Sequence, residues 1–325
     1  MRVIIYGAGA IGGVVGGHLA RAGHDVLLIG RAGHVKAINE NGLHLITPAG
    51  DYTLRIPAVT TPTQVSYKAD DVVFLCVKGQ NTEEALRDLR ALTDDIPIFC
   101  FQNGVRNEEI AARYFPKVYG VVVRASSVYL ADGEVIARQD PPGWLIIGRY
   151  PRGTDKLSEA VAEELRAAGF LVKVTPDIMS YKWGKLAGNI TNAIRAITNA
   201  KPDNAESIIS ATQQEFQDIL AQAGVRWVSL GELHREWPVM TQPLRGILET
   251  QSKGSTWQSL ARKLGTVEVD FLNGEIVRLA RKLGRQAPIN EKLVQICEKM
   301  AASKETPGKY APAELSVLLG LTSST

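Results

Sequence analysis

Short apolar runs and amphipathic stretches alternate through the first half of the chain. Residues 3–6, 26–29, 72–77, 98–101 and 118–123 are apolar throughout and rich in β-branched or aromatic side chains. Runs of this length without a polar alternate predict strands covered on both faces. Between several of them lie helical stretches, such as 13–22 and 82–92. Strand and helix in alternation predict a parallel sheet built from right-handed βαβ units. Residues 144–147 and 170–174 add two strands, separated by a helix over 155–168 that Gly169 ends in the position where glycine tolerates a left-handed turn. After Thr175 the strand patterns stop. Segments 178–199, 204–223, 255–264, 267–284 and 289–303 read as helices, and the polar tail after Thr306 leaves room for one short helix. The expected organisation is an α/β domain over 1–175 followed by an all-α domain over 176–325.

The first strand runs directly into Gly7-Ala8-Gly9-Ala10-Ile11-Gly12, a GxGxxG turn that opens a helix. In this setting the first glycine permits the tight turn. The second lets backbone approach a pyrophosphate, and the third lets helix and strand pack closely. The helix start offers free N–H groups to phosphate oxygens. The fold class is therefore a Rossmann-type doubly wound sheet with a helical domain after it, and the expected ligand is a dinucleotide. The end of the second strand bears on which one. An Asp or Glu there would bond a ribose 2′-hydroxyl. This chain has Gly30-Arg31, with no acid between Asp25 and Glu40. A guanidinium suits a 2′-phosphate by charge and by its fork of donors, which points to NADPH; the alternative is a surface arginine on a loop. Two further strand ends, Lys78 and Gln102-Asn103-Gly104, stand where ligands gather in such sheets, although a solvated lysine and an Asn-Gly turn would look the same.

In the second domain, Lys185 and Asn189 are spaced i, i+4 and share a helical face. On an unbroken helix Asn192 would lie about 20° from Lys185 around the axis. One ammonium and two amides then point the same way, a pattern that a plain solvated face would also produce.

Composition narrows the partners. Lys and Arg total 37 against 34 Asp and Glu, a net charge of +3, and no basic stripe interleaves with aromatics. Nucleic acid is not the expected partner. Cys76, Cys100 and Cys297 lie too far apart for metal-ligand spacing. Cys76 and Cys100 sit in apolar runs as small core residues, which suits a reducing cytoplasm. The apolar start of the chain is broken by glycines and leads into a helix rather than a cleavage site, so a secretory leader is not expected. No apolar run reaches the ~18 residues of a membrane span. Apolar helices in the second domain could pair two chains into a homodimer.

Taken together these pieces resemble the ketopantoate reductase family along nearly the whole chain. The matching pieces are the GxGxxG turn, Arg31, Val77-Lys78, Gln102-Asn103-Gly104-Val105, the WxKLxxN run from Trp183 to Asn189, and Thr266-Val267-Glu268-Val269-Asp270-Phe271-Leu272-Asn273-Gly274. The resemblance implies NADPH-dependent reduction of a 2-oxo acid to its 2-hydroxy acid, 2-dehydropantoate to pantoate in pantothenate biosynthesis, with no metal. It implies that Lys185 protonates the carbonyl oxygen as hydride arrives, and that Glu268 supports that lysine and contacts substrate. It places Asn103 against cofactor and substrate, Asn189 on substrate and Lys78 near the cofactor phosphate. Ser255 aligns with a serine that holds the substrate carboxylate, with Thr256 the nearest substitute.

Two departures concern the substrate. Where the family has a second asparagine, eight residues after the lysine, this chain has Ala193, with Asn192 beside it. Ser259 stands where an aspartate is common, and the stretch to Glu268 is one residue longer than usual. Two other readings therefore stand beside the first: a family member acting on a different 2-oxo acid, and a non-catalytic NADP-binding sensor. The second has no need to retain Lys185, Asn189 and Glu268 together.

Overall fold

The structure of the protein is a computed structural model, which describes residues 1–129, 131–236 and 254–321. The described chain forms two compact units, residues 1–182 and 183–321. In order, the first holds β1 (Arg2–Tyr6), α1 (Ala10–Arg21), β2 (Asp25–Ile29), α2 (Ala32–Asn41), β3 (Leu43–Thr47), β4 (Gly50–Leu54), β5 (Ala58–Val59), β6 (Asp71–Leu75) and α3 (Thr82–Arg90). It continues through β7 (Ile98–Cys100), α4 (Asn107–Ala111), β8 (Val118–Arg124), β9 (Ser127–Val128), β10 (Glu134–Ala137), β11 (Trp144–Arg149), α5 (Lys156–Ala167) and β12 (Leu171–Val174). Helix α6 (Ile178–Asn189) begins in the first unit and ends in the second. The expected division at Thr175–Pro176 precedes this helix, whereas the contacts change unit within it, after Lys182.

The main sheet has the order β12-β11-β8-β7-β6-β1-β2-β5. From β5 to β8 every pairing is parallel, while β11 runs antiparallel to β8. The reversal follows from the connection: 125–143 contains no crossover helix, only β9 and β10. These two join the β3–β4 hairpin in a second sheet, ordered β4-β3-β10-β9, which the sequence reading did not anticipate. Helix α1 lies between the sheets, and its glycine pairs explain how. A Cβ at Gly16 would stand 2.9 Å from a Leu28 methyl of the main sheet. One at Gly13 would stand 2.6 Å from Val135 of β10, and one at Gly17 3.3 Å from Leu45 of β3. Residues four apart share a helical face, so each pair of glycines lets one sheet approach. Val3, Ile5, Leu28, Phe74 and Phe99 join Leu43, Leu45 and Val135 in one continuous core.

Strand β6 stops at Leu75 rather than Val77. Cys76 N–H still reaches the Tyr6 carbonyl at 2.8 Å, and the Cys76–Val77 peptide then passes so close to Gly7 that a Cβ there would lie 2.6 Å from Val77 N. Gly169 has φ +92° immediately after α5 and its cap, the glycine stop that its position predicts.

The second unit is helical: α7 (Asn192–Thr198), α8 (Glu206–Gln222), α9 (Leu230–Glu236), α10 (Ser255–Ala261), α11 (Asn273–Lys282), α12 (Pro288–Ala302) and α13 (Pro312–Leu318). The single helix expected over 178–199 is two, α6 and α7, separated by a turn at Ile190–Thr191. The Thr191 hydroxyl bonds the Gly188 carbonyl at 2.8 Å, the local competition that disrupts helices at threonine. The Ile190 carbonyl, lost to the ladder, accepts instead from Asn273 Nδ2 at 3.0 Å. Asn273 also bonds Asn290 Oδ1 at 2.9 Å, and Asn290 donates to Glu215 at 2.8 Å. Likewise, the segment expected as one helix over 267–284 opens with a 3₁₀ turn at Val269–Phe271 before α11.

Candidate active site

The glycine turn sits at the carboxyl end of β1, and its neighbours in register end at the same edge. Tyr6 pairs with Ile29 of β2 and Leu75 of β6, and Leu75 pairs with Cys100 of β7. Arg31, Lys78 and Asn103 follow those strands, so the first unit gathers all its expected ligand residues along one sheet edge. Gly7 and Ala8 N–H both bond the Ile29 carbonyl at 3.0 Å, which fixes the turn on β2. The three glycines differ in what a side chain there would meet. Gly7 has φ +112°, and a Cβ there would lie 2.6 Å from Val77 N. At Gly12 a Cβ would lie 2.3 Å from the Gly7 carbonyl oxygen and 2.7 Å from Ile5. At Gly9, the residue that caps α1, it would meet nothing within 4 Å. Gly7 and Gly12 are thus demanded by the protein itself. Gly9 leaves an open face beside the first amides of α1, a cradle that fits a pyrophosphate.

Arg31 is the exposed N-cap residue of α2. Lys78, half-buried, precedes a 3₁₀ turn at Gly79–Asn81. The Gln102-Asn103-Gly104 segment is held from beneath. Gln102 Nε2 donates to Thr82 Oγ1 at 2.7 Å, Thr82 donates to Asn107 Oδ1 at 2.8 Å, and Asn107 Nδ2 donates to the Asn103 carbonyl at 2.8 Å. The sequence reading passed over Lys182, on the first-unit part of α6. Its ammonium donates to the Gln102 carbonyl at 2.8 Å and lies 2.6 Å from Glu108 Oε1. Both side chains are buried, at 2% and 0% exposure. Neither Glu108 oxygen has a well-aligned hydrogen bond, so the ammonium charge is what stabilises the carboxylate. Burial pushes the Glu108 carboxyl above its ordinary value, against the pull of Lys182. A buried charge pair of sequence separation this large carries no local pattern, so only the fold reveals it.

The second unit carries the other candidates, all half-buried: Lys185 and Asn189 on α6, Asn192 at the start of α7, Ser255 at the start of α10, and Glu268 at the cap of the 3₁₀ turn. Lys185 and Asn189 keep their i, i+4 relation, and Asn192 opens α7 beyond the turn at Ile190–Thr191. Asn192 lies against the start of α10, where a Cβ on Gly254 would approach its Oδ1 to 2.8 Å. The flanks of Asn192, Ser255 and Glu268 share one core: Ile194 and Ile197 of α7, Leu260 of α10, and Val267 and Val269 on either side of Glu268. Two buried polar atoms of the second unit have no partner among the described residues, Asn189 Nδ2 and Thr256 Oγ1. Ser259, where an aspartate was expected, is buried and donates to the Ser255 carbonyl at 3.0 Å.

A glycine cradle at the switch of a parallel sheet, with a helical unit after it, defines a Rossmann-type protein of the class that binds dinucleotides. The sequence matches the family described as Ketopantoate reductase PanE/ApbA over residues 3–152, and Ketopantoate reductase PanE/ApbA C terminal over 177–301. It is 33% identical over 298 residues to a 2-dehydropantoate 2-reductase of Pyrococcus horikoshii, covering 89% of this chain and 94% of the relative. A 2-dehydropantoate 2-reductase of Archaeoglobus fulgidus is 30% identical, with 91% and 96% covered. Among solved structures, a PanE/ApbA family ketopantoate reductase from Ralstonia eutropha JMP134 superposes with a TM-score of 0.78 at 29% identity, over 94% of this chain and 99% of that one. D-mandelate dehydrogenase, solved with NADH and anilino(oxo)acetate, shares the fold at a TM-score of 0.80 and 23% identity, covering 94% and 99%. The chain belongs to the ketopantoate reductase family of oxidoreductases.

Proposed function

We propose that the protein uses NADPH to reduce a small 2-oxo acid, with 2-dehydropantoate the first candidate. The observation that supports this most is Asn189 Nδ2, a buried donor without a partner, one helical turn beyond Lys185. An orphaned donor of this kind costs about 1–3 kcal/mol, a cost a substrate oxygen would offset. The cradle of Gly7, Ala8, Gly9, Ala10, Ile11 and Gly12 would hold the pyrophosphate. Arg31 and Lys78 would meet phosphate charge, and Asn103 would face both cofactor and substrate. When bound, the nicotinamide supplies hydride to the carbonyl carbon. Negative charge grows on the carbonyl oxygen, where the Lys185 ammonium stabilises it and delivers its proton. Glu268 would hold that lysine in place beside the substrate. Asn189 orients the substrate, and Ser255 or Thr256 receives its carboxylate; the unpartnered Thr256 hydroxyl favours the latter. The product is the 2-hydroxy acid.

A second reading has the same chemistry on a different 2-oxo acid. It is favoured by Ala193 where the family has its second asparagine and by Ser259 in place of an acid. The test of the shared mechanism is Lys185→Ala. It should bind NADPH with the wild-type affinity, read by nicotinamide fluorescence, while kcat falls by ~10²–10⁴. Near wild-type turnover would mean that another group delivers the proton.

A further inference from the structure

The corner that follows β2 carries an acid that the sequence around it lacks. Arg31 makes no side-chain capping bond to α2, and a helix start favours an anion beside it. The loop between β9 and β10, about a hundred residues later, places Asp132 there. Its carboxylate lies against Gly33 in the first turn of α2, where a Cβ would come within 2.3 Å of Oδ2 and 3.2 Å of Cγ. Any other side chain at position 33 would displace the acid.

The loop is clamped rather than draped. Gly133 N–H donates to His34 Nδ1 at 2.9 Å, and the Gly133 carbonyl accepts from His44 N–H of β3 at 2.8 Å. Gly133 has φ +83°, and a Cβ there would stand 3.0 Å from Ala37 of α2. The Tyr129 hydroxyl donates to Asp132 Oδ1, and its ring stands edge-on to His34 with centroids 4.7 Å apart. Burial pushes His34 below its ordinary value, so this imidazole adds no cation to the corner. The neighbouring cation is Arg31, the cap residue of the same helix.

Two opposite preferences therefore meet at one helix start. Arg31 favours a 2′-phosphate. The Asp132 carboxylate repels one, and accepts a hydrogen bond from a ribose 2′-hydroxyl. We propose that Asp132 is a second determinant of cofactor choice, offsetting Arg31, and that the chain binds and uses NADH as well as NADPH. The inference rests on the reading of this corner as the adenosine-ribose end of the dinucleotide site.

The test is titration of the full chain with NADPH and with NADH, followed by nicotinamide fluorescence and so independent of the 2-oxo acid. The wild-type dissociation constants should lie within about tenfold of each other. Asp132→Asn, an exposed and isosteric change, should shift the NADPH:NADH affinity ratio about tenfold towards NADPH, the scale of one charged hydrogen bond. Arg31→Ala should shift it the other way. If Arg31→Ala moves the ratio and Asp132→Asn does not, Asp132 has no part in the choice and this inference falls alone. If neither moves it, the assignment of this corner to the ribose falls, and the inference with it. A wild-type protein that binds NADH over a hundredfold more weakly than NADPH would overturn the dual use.

Discussion

Replacing Lys182 by methionine isolates the buried charge pair beneath Asn103. Methionine fills the volume of the lysine stem but removes the ammonium. The Gln102 carbonyl then loses a donor at 2.8 Å, which costs about 1–3 kcal/mol. Glu108, with a side chain 0% exposed, loses its counter-charge. Removing one partner of such a pair typically costs about 3–5 kcal/mol in all, so Lys182→Met should lose about 4 kcal/mol at neutral pH. The carboxyl can escape part of this by binding a proton. Its folded pKa already stands above the ordinary 4.5, and loss of the ammonium raises it further. A group raised on folding contributes fully below its unfolded pKa, and that contribution is lost as pH rises through the folded value. The deficit of Lys182→Met should therefore be smallest near pH 5 and largest near pH 8. In the double variant Lys182→Met, Glu108→Leu only the Gln102 carbonyl is left unpaired, and most of the loss should be recovered. Urea unfolding followed by circular dichroism at the two pH values measures all of this. A single-variant loss under 1 kcal/mol at pH 8, or single losses that simply add in the double, would refute the reasoning.

Asn273→Leu should leave the Ile190 carbonyl and Asn290 Oδ1 without their donor and cost about 2–5 kcal/mol in urea unfolding; a loss under 1 kcal/mol would show that the break between α6 and α7 does not depend on this network. His18 is 7% exposed, and burial lowers its pKa from 6.5 to about 4. The unfolded chain then binds the proton first, so the contribution is present above pH 6.5 and lost as pH falls towards 4. At ~1.4 kcal/mol per unit that amounts to about 3 kcal/mol. His18→Leu should flatten the pH dependence of stability between pH 7 and 5, and an unchanged slope would mean that other groups carry it.

What the sequence made legible was local. Apolar runs located the buried strands, and the glycine spacing located a turn in which Gly7 and Gly12 leave no room for a side chain. Lys185 and Asn189 kept their shared face because they lie four apart on one helix. Four features depended on distant residues and left no such trace. The turn at Ile190–Thr191 owes as much to Asn273 as to Thr191. The partner of Lys182 is Glu108, and the acid beside Gly33 is Asp132. The second sheet pairs β3 with β10, nearly ninety residues later in the chain. One signal for that sheet was present: Gly12-Gly13 and Gly16-Gly17 place small residues on two faces of α1, which a helix packed on a single sheet does not need.

The central claim is that this chain reduces a 2-oxo acid with Lys185 as proton donor. NADPH oxidation, followed by absorbance across a panel of 2-oxo acids that includes 2-dehydropantoate, tests it most directly when wild type and Lys185→Ala are run side by side. Turnover is predicted with at least one small 2-oxo acid of the panel, with formation of the matching 2-hydroxy acid and a rate ~10²–10⁴ lower for Lys185→Ala. Failure of every 2-oxo acid to support oxidation by a wild-type protein that binds NADPH, or equal rates for wild type and variant, would contradict it.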